Sequence, residues 1–145
     1  MRNLELSDVD FIISCLRQMR TESPVYGECA DDPDYVEDTL RQLIRSYTMR
    51  GIVEPDKGFL LFSVQPTWFC ADIYANEQLL YVVPDCRGSS LAFRLIRQYT
   101  VAAYLAGAKY CAAGSSSGIN DEKVLELYKH IGFKPWKHGV RLQIG

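Results

Sequence analysis

The sequence predicts one α/β domain, and three observations carry that expectation. Two stretches before residue 47 repeat apolar residues at helical spacing behind capping residues. An apolar block rich in β-branched and aromatic residues follows between Gly51 and Val83. Then "YVVPDCRGSSLAFRLI" passes from strand to helix through one tight corner. With 145 residues the chain suffices for one core and is short for two, so residues 1–145 are read as one unit.

Residues 2–6 read as a short strand. Ser7 then caps a helix, with Asp10 three residues on and Val9, Ile12, Ile13, Leu16 and Met19 on one face. "TESPVYGECADD" is a loop by its Pro, Gly and polar content. Asp32 and Pro33 read as N-cap and first residue of a second helix, whose stripe is Tyr35, Val36, Leu40, Leu43, Ile44 and Tyr47. Strands follow at 51–54, 59–64 and 73–83. A third helix spans 90–106, with Leu91, Leu95, Tyr99 and Ala102 inward and Gly107 ending it. "AKYCAA" is a buried strand, "GSSSGIN" a polar loop, and residues 121–131 a fourth helix stopped by Gly132. Residues 133–136 and 140–144 close the chain as a hairpin. The expected order is β-α-α-β-β-β-α-β-α-β-β, without repeats or low-complexity segments.

Composition narrows the function classes. Apolar runs such as "GFLLFSV" fall far short of a membrane span, and the first residues lack a basic-then-apolar leader. The expectation is a cytoplasmic protein with no membrane partner. Five scattered cysteines without a CxxC pair, and two histidines (His130, His138) distant from them, argue against a metal site and a disulfide framework. The cysteines read instead as mostly buried small hydrophobes. Residues 1–40 hold ten acids and three bases, a balance of −7; residues 41–145 hold eight acids and thirteen bases, a balance of +5. No acid lies between Asp85 and Asp121. The pattern reads either as solvated faces or as a second half that meets an anion and a first half that meets a cation. Nucleic acid is not that anion, since no dense Lys/Arg stripe interleaves with aromatics.

Three local patterns, with the element order, resemble the GNAT superfamily of N-acetyltransferases. "LLYVVPDCRGSSLAFRLI" is similar to the family's Arg/Gln-x-x-Gly-x-Gly/Ala signature, framed here by Arg87, Ser90 and Ala92. "DEKVLELYKHIGF" is similar to its Asn-x-x-Ala-x-x-x-Tyr…Gly-Phe helix, with Tyr128, Gly132 and Phe133 in register. "QPTWFCADIYANEQLLYV" resembles a subgroup with Pro-x-Trp-Phe before the fourth strand and a glutamate on it. Ser90 stands where glycine is usual, and Asp121 and Val124 replace the Asn and Ala. The resemblance implies a mixed, mostly antiparallel sheet flanked by about four helices. It implies acetyl-CoA as acetyl donor, no metal, and a small-molecule or protein amine as acceptor. It also admits a homodimer.

The resemblance gives individual residues their expected roles. A pyrophosphate can be held by backbone N–H groups at a helix start, which explains the acid-free corner: Gly88 frees the backbone, and Ser89, Ser90 and Ala92 keep bulk low. Arg87, Leu91 and Asn120 join these cofactor contacts, with Val82 and Val83 supplying N–H groups to the thioester carbonyl. Tyr128 is expected to protonate the departing thiolate and to contact the cofactor, although its helical spacing with Val124, Leu127 and Ile131 equally suits a core residue. Glu77 is the expected base for the amine, against a surface glutamate in a turn at "ANEQ". Glu22, Ser23, Tyr26, Trp68 and Phe69 are candidates for the acceptor wall, against simple packing for the Trp-Phe pair. The function implied is direct transfer of acetyl to a primary amine in a ternary complex. A non-catalytic acyl-CoA-binding module and an interaction protein reusing the fold are the alternatives.

Overall fold

Strand order in the sheet follows the chain: β1 (Arg2–Asn3), β2 (Arg50–Glu54), β3 (Gly58–Thr67), β4 (Cys70–Val82) and β5 (Tyr110–Ala112) lie side by side. The first four pair antiparallel, whereas β4 and β5 are parallel. A parallel step needs a crossover, and α3 (Leu91–Leu105) provides it. The computed structural model describes residues 1–115, 117–136 and 141–144.

Strand alternation sorts the core into two layers. On one face Val53, Phe59, Leu61 and Tyr81 meet Val9, Ile12, Cys15 and Met19 of α1 (Val9–Glu22) and Leu40 of α2 (Pro33–Arg45). On the other, Ile52, Leu60, Phe62 and Ala75 meet Leu91, Leu95, Ile96, Tyr99 and Ala103 of α3 and Tyr128 of α4 (Asp121–Ile131). Being covered on both faces is why β3 reads as the unbroken apolar run "GFLLFSV".

One irregularity in β4 decides the later geometry. Leu61 pairs with Leu79 but Phe62 pairs with Glu77, so Gln78 is an extra residue, a β-bulge. The bulge shifts the alternation by one. Ala75 ahead of it, and Leu80 and Val82 beyond it, all belong to the α3–α4 layer, while Leu79 and Tyr81 turn toward α1. In a regular strand residues 77 and 81 would share a face.

Local signals explain several boundaries. Asp32 caps α2 by accepting the Tyr35 N–H at 3.0 Å, with Pro33 in the first turn, as the sequence predicts. α3 and α4 stop before Gly107 and Gly132. The start of α1 differs from expectation. Ser7 lies inside a 3-10 turn, and Asp8 does the fixing, accepting the Glu5 N–H at 2.8 Å and both Arg2 guanidinium nitrogens at 2.7 and 2.8 Å. β1 is shorter than expected, and β3 and β4 run longer into a hairpin whose tip is Trp68 and Phe69. Tyr35 and Tyr47 leave the α2 stripe for solvent. Of the cysteines only Cys15 is buried; Cys29 is exposed and the other three are half-buried.

The closing hairpin is not formed among the described residues: 133–136 and 141–144 carry no strand, and Val140 lies outside them. One backbone hydrogen bond and ring contacts hold the segment instead. The Phe133 N–H donates to the Tyr128 carbonyl at 3.0 Å and its ring lies edge-on to Tyr128 at 5.1 Å, while Trp136 stacks on Tyr74 at 5.5 Å. The resulting fold is a mixed, mostly antiparallel sheet with helices on both faces.

Candidate active site

β5 accompanies β4 only as far as Asn76. Past that point the two diverge, and a cavity of about 300 Å³ opens between the bare edge of β4, the loop after β5 with the start of α4, and the corner before α3. Edge direction alternates along a strand, so the cavity meets only some of its backbone groups. The Val83 N–H donates to the Lys57 carbonyl at 2.9 Å, toward β3, and so is turned away from the cavity, against expectation. Val82 points the other way: its carbonyl accepts Nε of Arg87 at 2.9 Å. By the same alternation Leu80 also faces the cavity, a position that the sequence did not single out.

At the corner, the Ser89 hydroxyl donates to the Cys86 carbonyl at 2.7 Å and accepts the Leu91 N–H at 3.3 Å. Gly88 has φ +78°, where a side chain is strained, and the space around its missing Cβ is empty to 4 Å. Gly88, Ser89 and Ala92 line the cavity. Ser90 is the N-cap with an exposed side chain that makes no capping bond, and Leu91 turns into the core, so neither side chain enters the cavity. No acid stands in the first turn of α3, whose positive dipole end adjoins the cavity. Asn120, in a left-handed conformation, and Lys123 line the opposite wall. Lys123 escaped sequence reading because nothing local distinguishes it from a solvated helix lysine.

Arg87 is fully engaged. Besides Val82, its two terminal nitrogens donate to Glu22 at 3.2 and 2.8 Å, and it lies over the Tyr81 ring at 5.4 Å. The Tyr81 hydroxyl donates to Glu22 at 3.3 Å. The Arg87 hydrogen bonds hold the Glu22 carboxyl below the usual carboxylate range, and burial pushes the Tyr81 hydroxyl up to about 12. Glu22, expected on the acceptor wall, therefore anchors the corner instead. Ser23 is buried; its hydroxyl accepts the Val25 and Tyr26 N–H groups at 3.2 and 3.0 Å and donates to the Ser117 carbonyl. Tyr26 is half-buried beside α1 and α2, in the lining of a second cavity.

Trp68 and Phe69 do not join these residues. They sit 96% and 55% exposed at the β3–β4 tip, edge-on to each other at 5.7 Å. Tyr81, which Glu22 touches, is roughly 40 Å away along the strand at about 3.3 Å per residue. One wall cannot contain both groups.

Glu77 and Tyr128 do meet. "ANEQ" is continuous strand, and the Tyr128 hydroxyl, from a side chain 3% exposed, donates to Oε2 of Glu77 at 3.0 Å. The Gly114 N–H donates to the same oxygen at 3.1 Å. Burial pushes the Glu77 carboxyl above its ordinary range, opposed by the Gly114 N–H, the Tyr128 hydroxyl and the Leu80 N–H. Burial and then the Glu77 charge push the Tyr128 hydroxyl up as well. Behind the pair, the Tyr99 hydroxyl donates to the Ala112 carbonyl at 3.0 Å and pins the end of β5. The pair combines a carboxyl that binds protons readily with a phenol that keeps its own. No cluster of metal-ligating side chains occurs among the described residues.

No family model and no curated protein matches this sequence. Solved structures do. A predicted acetyltransferase of Clostridium acetobutylicum, solved with acetyl-CoA, is 14% identical with TM-score 0.76, covering 98% of this chain and 94% of its own. A ribosomal-protein-alanine N-acetyltransferase of Brucella melitensis is 17% identical with TM-score 0.71, covering 99% and 98%. AAC(6')-Iy, solved with the bisubstrate analogue CoA-S-monomethyl-acetylneamine, is 14% identical with TM-score 0.74, covering 99% and 96%. At such identities the likeness is one of fold, and the chain has the fold of the GNAT N-acetyltransferases.

Proposed function

We propose that the protein transfers an acetyl group from acetyl-CoA to a primary amine, by direct attack with both substrates bound. The observation that carries this reading is the meeting of three features at one cleft: the acid-free corner, the bare edge of β4, and the Glu77–Tyr128 pair. The neighbours solved with acetyl-CoA and with a CoA-based analogue support it.

The residues fit this co-substrate. The empty Cβ position of Gly88, the small side chains of Ser89 and Ala92, and Lys123 across the gap suit a pyrophosphate. The Leu80 and Val82 backbone suits the amides of an extended arm, which would extend the sheet where β5 leaves it. When bound, acetyl-CoA supplies an activated thioester. Ser90 departs from the family pattern without entering the cavity, and Asp121 accepts a hydrogen bond from Ser115.

The remaining chemistry is movement of one proton. Glu77 takes the proton that the amine nitrogen loses as it bonds to the acetyl carbon. Tyr128 gives its hydroxyl proton to the leaving sulfur and regains one from Glu77 across their 3.0 Å hydrogen bond. The net change is one proton from nitrogen to sulfur. Glu77 and Tyr128 are the catalytic residues in this reading, and the Leu80 N–H, nearer to them than Val82, is the donor to the carbonyl oxygen, with Val82 left to the arm.

The test is acetyl-CoA binding followed by turnover. Acetyl-CoA should raise the melting temperature with concentration, and Ala92→Glu, which puts a carboxylate into the cavity, should abolish the rise. Thiol release with a panel of amines should then report transfer. Wild-type protein that shows no shift at millimolar acetyl-CoA defeats the proposal.

A further inference from the structure

On the other face of β4 lies a second cavity, of about 310 Å³, between α1, the start of α2 and the bulge. It shares Met19, Gln78 and Leu79 with the first, so the two chambers meet at the bulge, next in chain to Glu77. From this geometry we infer that the acceptor is a monoamine carried on an apolar body, seated in this second cavity with its nitrogen toward the bulge. The inference rests on the acetyl-transfer reading for its chemistry, and on the cavity alone for its selectivity.

The walls carry the argument. Ile13, Leu16, Val36 and Leu79 present aliphatic surface, and Tyr26 adds an aromatic one. Such walls gain free energy by taking apolar area from water and penalise each charge brought in unpaired. Four charged side chains also line the cavity, and three of them are already engaged. Arg20 donates to the Tyr26 and Cys29 carbonyls at 3.2 and 2.7 Å, Asp32 caps α2, and Asp31 lies 3.8 Å from Arg20 with its side chain 71% exposed. Arg17 is exposed at the rim.

The acidic excess of residues 1–40 suggested a cationic acceptor, but most of it is not aimed here. Asp8 pairs with Arg2, Glu22 with Arg87, Asp10 and Glu37 with Arg41, and Glu28 with Arg141. A polyamine or aminoglycoside would need several carboxylates along its length. Of the two carboxylates in the lining, Asp32 caps α2 and Asp31 sits at the mouth beside Arg20, so a single amino group on a hydrocarbon or aryl frame fits better.

Three probes separate the outcomes: phenethylamine, spermidine, and N,N-dimethylphenethylamine, which binds like the first but yields no stable amide. Phenethylamine should exceed spermidine in kcat/KM by about 100-fold or more, and calorimetry should detect the dimethyl probe without acetyl-CoA. Val36→Asn and Ile13→Asn, each checked for an unchanged acetyl-CoA melting shift, should weaken both aryl probes by about 10-fold. Transfer to spermidine in preference to phenethylamine overturns the inference and leaves acetyl transfer standing. Binding of the dimethyl probe, sensitive to both variants but with no amine acetylated, upholds the cavity and defeats the acetyl-transfer reading. No binding of that probe, or binding indifferent to both variants, overturns the inference directly.

Discussion

The two ends of β4 share one strand and differ in what flanks it. Near Tyr74 the strand has β3 on one edge and β5 on the other, Tyr74 is stacked between Tyr110 at 4.8 Å and Trp136 at 5.5 Å, and Lys109 bonds Asp72 at 2.9 Å. From Glu77 to Val82 only β3 remains, and here gather the cavity and two hydrogen-bonded groups of titratable side chains, Glu77 with Tyr128 and Glu22 with Tyr81 and Arg87. The more conspicuous end in sequence, with its Trp-Phe tip, lies outside both of the cavities described above. Exposed aromatic residues are therefore a poorer guide to chemistry in this molecule than a strand edge left unpaired beside a half-buried carboxyl.

Substitutions at the two ends should separate accordingly. The largest effect is expected at Tyr128→Phe, which removes one hydroxyl and keeps the ring. Turnover should fall about 100-fold or more while acetyl-CoA still shifts the melting temperature. Full activity in this variant would retire the hydroxyl as proton donor.

Glu77 gives the next effect, read through pH. A base must be ionised, and burial raises this carboxyl, so kcat/KM should climb with pH on a limb lying above the ordinary carboxylate range. Glu77→Gln should lower the rate about 100-fold and flatten that limb. The same shift has a stability sign. A raised acid binds its proton more tightly folded than unfolded, so its contribution is fully present below the unfolded value and is lost as pH rises through the folded one. Thermal melts of the glutamine variant across acid to neutral pH should lack that decline.

Glu22→Gln should be milder. It breaks a paired, half-buried carboxylate, costing about 1 kcal/mol, and loosens the corner so that acetyl-CoA binds a few-fold more weakly. Because Arg87 lowers this carboxyl, the stabilisation is present above the unfolded value and is lost as pH falls through the folded one. Denaturant midpoints of both proteins at neutral and acid pH should converge at the acid end. Smallest of all, Trp68→Ser at the hairpin tip should change kcat/KM less than about two-fold. A large loss there would overturn the contrast between the two ends.

Much of the fold was legible because its determinants are local. The Asp32–Pro33 cap, the glycine stops of α3 and α4, and the helical spacing that turns Tyr128 inward all lie within a few residues of what they control. The site was legible only in part. Glu77 and Tyr128 are 51 residues apart and Glu22 and Arg87 are 65 apart, and no window of sequence shows such pairs meeting. The Val83 error came from the direction of one N–H, which follows from pairing with the turn at Lys57 rather than from residue type. Trp68 and Phe69 misled because hydrophobicity alone does not report distance along a hairpin.

Gln78 makes this arrangement depend on how the strand pairs rather than on which residue stands there. Replacing its side chain leaves the count of residues between Glu77 and Leu79 unchanged. Drawing Gln78 into plain alternation, with no residue lost, would be different: with Glu77 fixed, Leu79 and Tyr81 would swing into the α3 layer while Leu80 and Val82 turned toward α1. Half a strand would be inverted by the closing of one bulge, whereas deleting Gln78 would keep every face. A chain built this way can drift freely in composition at that position, but its reading frame of faces cannot slip by one.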